Sequence, residues 1–287
     1  MVNSPQLDGL PEVKLQEFLD HPAVQAGLAP FVVALIAATL FKRINLSGLA
    51  IIAGFAVTIY LAMAGNFTIE PHTASQKIVL LGMISAALGL LLGLIRLPWF
   101  SLLLPVLGSA AAIWTVQRIL QHQAPQVVAL WGAGCAAYVA VLVWGMDTLE
   151  NSSLRAASAA TTLGIGTGGA ALVGASASLG QFGLALGSAA AAHLLIQMIT
   201  NQTLPAGRVF TLPLAMIAGL TGCVAVLSAR LPWYAMIILA CIPIVARLVP
   251  LPILSVRKQG ILLTLLTSAF AGGAIYVAWR VAGDVPF

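Results

Sequence analysis

Apolar residues along the 287-residue chain gather into ten long runs, at 22–41, 47–65, 78–95, 98–116, 127–146, 156–176, 182–200, 209–229, 232–248 and 260–281. Short polar clusters separate them: Lys42-Arg43, the loop from Asn66 to Lys77, Arg96, Gln117-Arg118 with Gln121-His122-Gln123, and the stretch from Asp147 to Arg155. A helix needs about 20 apolar residues to cross roughly 30 Å of hydrocarbon, and only helices and closed barrels satisfy their backbone groups there. Each run therefore predicts a membrane-crossing helix, and the chain reads as an all-α integral membrane protein with about ten transmembrane helices. The N-terminal segment 1–21 breaks the pattern. Asp8, Glu12, Glu17 and Asp20 alternate there with Leu10, Val13, Leu15, Phe18 and Leu19, which predicts a short amphipathic helix lying at the interface over 11–20. Without a basic segment leading into an apolar core, this stretch is not expected to be a cleaved signal peptide.

The runs fall into two similar sets of five. Arg96-Leu97-Pro98-Trp99-Phe100 returns as Arg230-Leu231-Pro232-Trp233-Tyr234, at an offset of 134 (230 − 96). Upstream, Gly48-Leu49-Ala50, Met63, Asn66 and Thr68 match Gly183-Leu184-Ala185, Met198, Asn201 and Thr203 at an offset of 135 (183 − 48). Downstream, Tyr138-Val139-Ala140 matches Tyr276-Val277-Ala278 at 138 (276 − 138). Self-similarity at a fixed period marks a duplicated unit. The first unit covers 22–146, a polar junction covers 147–155, and the second unit covers 156–287. Five is an odd number of crossings, so the second unit enters the membrane from the opposite side. This predicts two five-helix inverted-topology repeats about a pseudo-two-fold axis in the membrane plane. In size and span count the chain is similar to drug/metabolite-type exporters and other five-plus-five carriers, at the level of fold.

Composition narrows the function classes. Hydrophobic residues make up 60% and charged residues 7%, against about a quarter charged in soluble domains, and the mean hydropathy is +1.03. No soluble domain fits between the runs. The net charge of +5 does not point to nucleic acid, because Lys and Arg sit singly or in pairs at run ends, where they set topology. The bilayer is the expected partner. With the N-terminus outside, Lys42, Arg43, Arg96, Arg155, Arg208, Arg247, Arg257 and Lys258 fall inside, against Lys14, Lys77, Arg118, Arg230 and Arg280 outside. That balance predicts both termini on the non-cytoplasmic side of a bacterial inner membrane. All eight acidic residues fall in tails, loops or run ends, leaving no mid-membrane carboxylate for a usual proton or sodium site. Cys135, Cys223 and Cys241 lie in apolar runs without metal-ligand spacing. No metal, cofactor or catalytic constellation is expected, and the chain is not expected to be an enzyme.

Two stretches carry candidate chemistry. The run 156–176 is built from Ala, Gly, Ser and Thr, with Thr161, Thr162, Gly164, Gly166, Thr167, Gly168 and Gly169 at its centre. Two roles fit it. Gly164/Gly168, like Gly89/Gly93 and Gly183/Gly187, has the small-xxx-small spacing of close helix contacts; alternatively, the helix unwinds and its hydroxyls and free backbone groups line a polar cavity. His193 and Gln197 lie four residues apart on one helix face, and an ionisable residue inside the membrane marks function by default. Asn66 and Asn201 hold equivalent positions at the mouths. Together these residues form the expected substrate pathway. The expected function is a transporter or facilitator moving a small neutral or weakly polar solute through a cavity between the repeats. The alternative is a non-catalytic structural or assembly subunit packed against other membrane subunits or a second copy of itself. A broken run 156–176 facing a cavity that includes His193 favours the transporter, and an unbroken, packed one favours the subunit.

Overall fold

The computed structural model describes residues 21–44, 46–63, 73–95, 99–228, 231–251 and 255–283. The amphipathic helix expected over 11–20, the pathway residue Asn66, and Arg96-Leu97-Pro98 and Arg230 of the two matching boxes lie outside the described residues. Among the described residues the chain is helical between short turns, without strands. Eight helices of this described part are long and apolar enough to cross a membrane: α1 (Val24–Phe41), α3 (Ala74–Leu94), α4 (Phe100–Leu120), α5 (Pro125–Asp147), α6 (Ser153–Gly174), α7 (Ala177–Thr200), α8 (Gly207–Ser228) and α10 (Val256–Ala282). Two shorter apolar helices, α2 (Ala50–Met63) and α9 (Trp233–Leu248), pack among them. The chain is a helical integral membrane protein.

Local chemistry fixes the helix ends. Thr73 and Gln76 form a reciprocal capping box at the start of α3, and the Ser176 hydroxyl accepts from the Leu179 amide at the start of α7. Asn201 ends α7 in the left-handed region at φ 50°, a conformation asparagine tolerates, and its side-chain oxygen accepts from the Arg257 amide at 3.4 Å. Arg155 reaches across from the first turn of α6 to the end of α9. There its guanidinium donates to the carbonyls of Ala246 (2.7 Å), Arg247 and Val249 (2.9 Å), which have no partner within their own helix. The first turn of α1, Val24–Leu28, is wound as a π-helix. Two of its carbonyls take hydrogen bonds from other helices, Gln25 from the Thr58 hydroxyl at 2.9 Å and Ala26 from the Ser188 hydroxyl at 3.4 Å.

The packing centres on α8. Every residue from Arg208 to Val226 is buried, and α2, α3, α4, α5, α6 and α7 all touch it. A helix that is apolar on all faces belongs inside a bundle, and this one has no lipid-facing side. Around it, α4 shows Leu102, Leu103, Val106 and Leu107 to the surroundings, while α10 shows Leu265, Tyr276 and Trp279. Such apolar faces suit contact with lipid. Trp99 and Trp233, at the starts of α4 and α9, are exposed as interfacial aromatic residues are.

The tightest seam joins α6 to α7. A Cβ added at Gly164 would collide with the backbone of Gly187, and one added at Gly168 with the Leu184 amide. Glycine at both positions lets the two backbones touch. The two closing hairpins dock differently. Helices α9 and α10 cover α6, whereas α4 and α5 lie against α8. Valine at Gly168 forces the α6–α7 seam apart and is expected to cost about 3 kcal/mol, the upper end of the usual cost of overpacking, because backbone stands opposite. Alanine at Gly272, which has no neighbour within 4 Å of the added carbon, is expected to leave stability unchanged. Thermal unfolding of the two variants in the same detergent checks the contrast.

Candidate functional site

A cavity of about 230 Å³ lies between α2, α3, α7 and α8. Helix α2 contributes Ile51, Ile52, Phe55, Ala56 and Ile59, α3 contributes Gly82 and Met83, α7 contributes Leu186, and α8 contributes Pro213 and Ile217. Among the described residues no polar side chain lines it. The lining residues from α7 and α8 are buried while Ala56 and Met83 are exposed, so the cavity opens outward between α2 and α3, which barely touch. An apolar cavity of ~150 Å³ stays dry and accepts benzene, so this one has room for a larger apolar fragment. Gly82 makes the space: a Cβ there would lie 2.7 Å from Cδ1 of Ile217.

The expected pathway residues lie elsewhere. Helix α6 is unbroken from Ser153 to Gly174, without the unwound segment that a polar cavity there requires. Thr161 and Thr162 turn their hydroxyls back onto carbonyls of their own helix, at Ala157 (2.8 Å) and Ser158 (3.1 Å). Gly166 faces Leu239 and Ala271, Gly169 faces Ile275, and Gly164 and Gly168 face α7. The Thr167 hydroxyl is buried without a hydrogen-bond partner among the described residues. Asn201 closes α7 and holds the first turn of α10 through the Arg257 amide. The small residues of α6 thus serve contact between helices.

His193 and Gln197 are a different case. Both are fully buried, and both imidazole nitrogens and both amide atoms lack hydrogen-bond partners among the described residues. The backbone of Ser47 and of Leu204 faces the ring nitrogens without reaching hydrogen-bond geometry, and the Phe210 ring lies 4.9 Å from the imidazole, centroid to centroid. An unsatisfied buried polar group costs about 1–3 kcal/mol. Four such atoms lie on one stripe of α7.

A third cluster escapes sequence reading because its charges sit at the ends of separate runs. The Arg208 Nε, in the first turn of α8, lies 2.9 Å from Asp147 Oδ1 at the end of α5 and 2.8 Å from Glu150 Oε2 in the following turn. Its Nη2 donates to the Ser101 hydroxyl on α4 at 2.6 Å. The Arg208 and Asp147 side chains are only 8% and 9% exposed. Burial pushes the Glu150 carboxyl above its usual range, the Arg208 guanidinium draws it down, and the Asp147 carboxylate pushes it up again.

Leucine at Arg208 leaves the buried Asp147 carboxylate without its counter-charge beside the partly exposed Glu150, and breaking a buried pair costs about 3–5 kcal/mol. Denaturant unfolding in detergent is expected to show a loss of that order, partly restored when Asp147→Asn and Glu150→Gln are added. Glu150 also gives a pH test. Its folded-state affinity for the proton is raised above the ordinary value of 4.5, so its contribution to stability is complete below that pH and is lost as pH rises through the raised value. Glu150→Gln is expected to flatten this part of the stability profile. An unchanged slope between the two proteins argues against a raised Glu150.

Comparisons with protein-family models, with curated proteins and with solved structures found no match, and the functional reading rests on the chain's own residues.

Proposed function

We propose that the protein is a polytopic carrier or facilitator built from two five-helix inverted repeats, with its solute seated between them. The observation that carries this reading is the position of the cavity. Ile51 and Leu186 line it from α2 and α7, and their positions differ by the same 135 (186 − 51) that relates the two halves in sequence. The next turn repeats the relation. A Cβ on Gly54 would lie 2.7 Å from the Cβ of Ala189, its counterpart at 135 (189 − 54). On the adjacent pair α3 and α8, Gly82 meets Ile217, one residue beyond Met216, its counterpart at the downstream offset of 134 (216 − 82). Corresponding residues of two copies meet only near the axis that relates them. A cavity at such an axis, near the middles of α3, α7 and α8, is where inverted-repeat carriers bind their solutes. The lining favours an apolar moiety over the weakly polar solute that composition alone pointed to.

The continuous, glycine-packed α6 supports a second reading, a structural or assembly subunit whose interior is fully packed. Thiol labelling separates the two. Single cysteines at Leu186 and His193, in protein carrying Cys135→Ala, Cys223→Ala and Cys241→Ala, are treated with a membrane-impermeant maleimide from each face of sealed vesicles. A carrier alternates between states and brings water to its solute site in turn. The carrier reading therefore expects both positions to label from at least one face over time, faster than Ala190→Cys on the same helix and slower than Gln202→Cys in the exposed loop. Complete protection of both positions from both faces, with the loop control labelled, overturns the carrier and leaves the subunit.

A further inference from the structure

Resting on the carrier reading, we infer that its solute is a single-chain amphiphile with an uncharged hydrogen-bonding head, the apolar chain entering from the bilayer between α2 and α3 and the head reaching His193 and Gln197. The first support is access. The cavity opens on the lipid-facing side between two helices that barely touch, with Ala56 and Met83 at its mouth. Molecules at that depth of a membrane are hydrocarbon chains, and a lining without a polar group suits them.

The second support is alignment. Leu186 and His193 are seven residues apart on α7, about 10 Å along the helix at 1.5 Å per residue and within about 20° of the same stripe. On α8, Phe210 and Ile217 are related in the same way, Ile217 in the cavity and Phe210 against the imidazole. On α2 and the turn before it, Ile51 lines the cavity and Ser47, one turn earlier, faces His193. Three elements therefore present an apolar level and a polar level along one continuous interface. The ring of Phe210 packs against the imidazole at the polar level, and it must turn aside for a head to reach His193.

The third support is charge. The pair offers two imidazole nitrogens and an amide, all without partners among the described residues. Arg208, two positions before Phe210 on α8, is directed into Asp147, Glu150 and Ser101 instead. A carboxylate or phosphate head would be buried there without a counter-charge, whereas hydroxyls and amides would be satisfied.

A monoacylglycerol carrying a diazirine in its chain and an alkyne for detection tests this on the full protein in lipid nanodiscs. The expected result is saturable photolabelling of peptides carrying Ile52, Ala56 and Met83, competed by unlabelled monoacylglycerol and not by the fatty acid of equal chain length. Ala56→Trp, at an exposed position and therefore compatible with folding, fills the mouth and is expected to abolish the saturable labelling. His193→Leu is expected to weaken competition about tenfold, with the thermal midpoint of each variant showing that it is folded. Labelling spread without competition over outward residues such as Leu102 and Leu265 overturns the proposal. Equal competition by the fatty acid overturns the role assigned to His193 and Gln197. Failure here with labelled thiols at positions 186 and 193 leaves a carrier for a different solute, whereas protected thiols with failed photolabelling remove both readings.

Discussion

The enclosure of α8 is the constraint on which the rest of the structure depends. A helix buried on every face from Arg208 to Val226 has no route for a charge to reach water from its sides. Its first turn nonetheless carries Arg208, at the end where the helix dipole is already positive. Two opposing acids resolve this. Asp147 and Glu150, at the close of α5, offset the guanidinium and the dipole together, and Ser101 on α4 takes a remaining donor. The interaction gathers α4, α5 and α8 at one point. Because Arg208 and Asp147 are both buried, removing either partner costs more than the pair contributes over a neutral replacement.

Around that helix the chain achieves close contact with small residues instead of interlocking large ones. Lipid offers no hydrophobic gain for bringing helices together, so the driving force is dispersion between surfaces that approach closely. The α6–α7 seam shows the consequence. Four glycines, at 164, 168, 183 and 187, bring backbone against backbone. Where a large side chain meets a glycine, as Ile217 meets Gly82, the fit leaves room beside it, and the cavity lies there. Packed seam and cavity thus arise from the same residue chemistry, distinguished by what stands opposite the glycine.

Much of the fold can be read from the apolar runs, because an apolar stretch of about 20 residues in a membrane has few alternatives to a helix. Most helix boundaries fall within about a turn of the run ends. The start of α7 moves further, from the run end at Phe182 back to Ala177, because Ser176 caps the helix there. The site is less legible for a physical reason. Aliphatic residues that line the cavity, such as Ile51 and Leu186, have the same identity and spacing as those that face lipid, and no period in the sequence distinguishes a cavity wall from a bilayer contact. The glycines of α6 do carry a signal, and it is the small-xxx-small spacing of close contact that the structure fulfils. His193 and Gln197 are visible as intramembrane polar residues, but their lack of partners depends on Ser47, Leu204 and Phe210, which lie in other elements. Arg208 reads in sequence as a loop cation, because Asp147, Glu150 and Ser101 all belong to distant parts of the chain.

The two hairpins that end the halves give the proposed carrier a direction of change. Helices α9 and α10 lie on α6, yet their sequence counterparts α4 and α5 lie on α8. In an inverted-repeat carrier, the two arrangements exchange when access passes from one face to the other. The opposite state would then set α4 and α5 against α1, the counterpart of α6, and α9 and α10 against α3, the counterpart of α8. What holds the first hairpin in its present place is identifiable. Ser101 on α4 and Asp147 on α5 are both tied to Arg208, so the buried ion cluster is also the attachment of that hairpin to the central helix. Burial favours the neutral form of Glu150, so protonation of that carboxyl favours the docked hairpin and its ionisation weakens the attachment, while Asp147 remains the partner of the guanidinium. The electrostatics that make α8 possible as an enclosed helix thereby also set the ease with which its neighbours leave it.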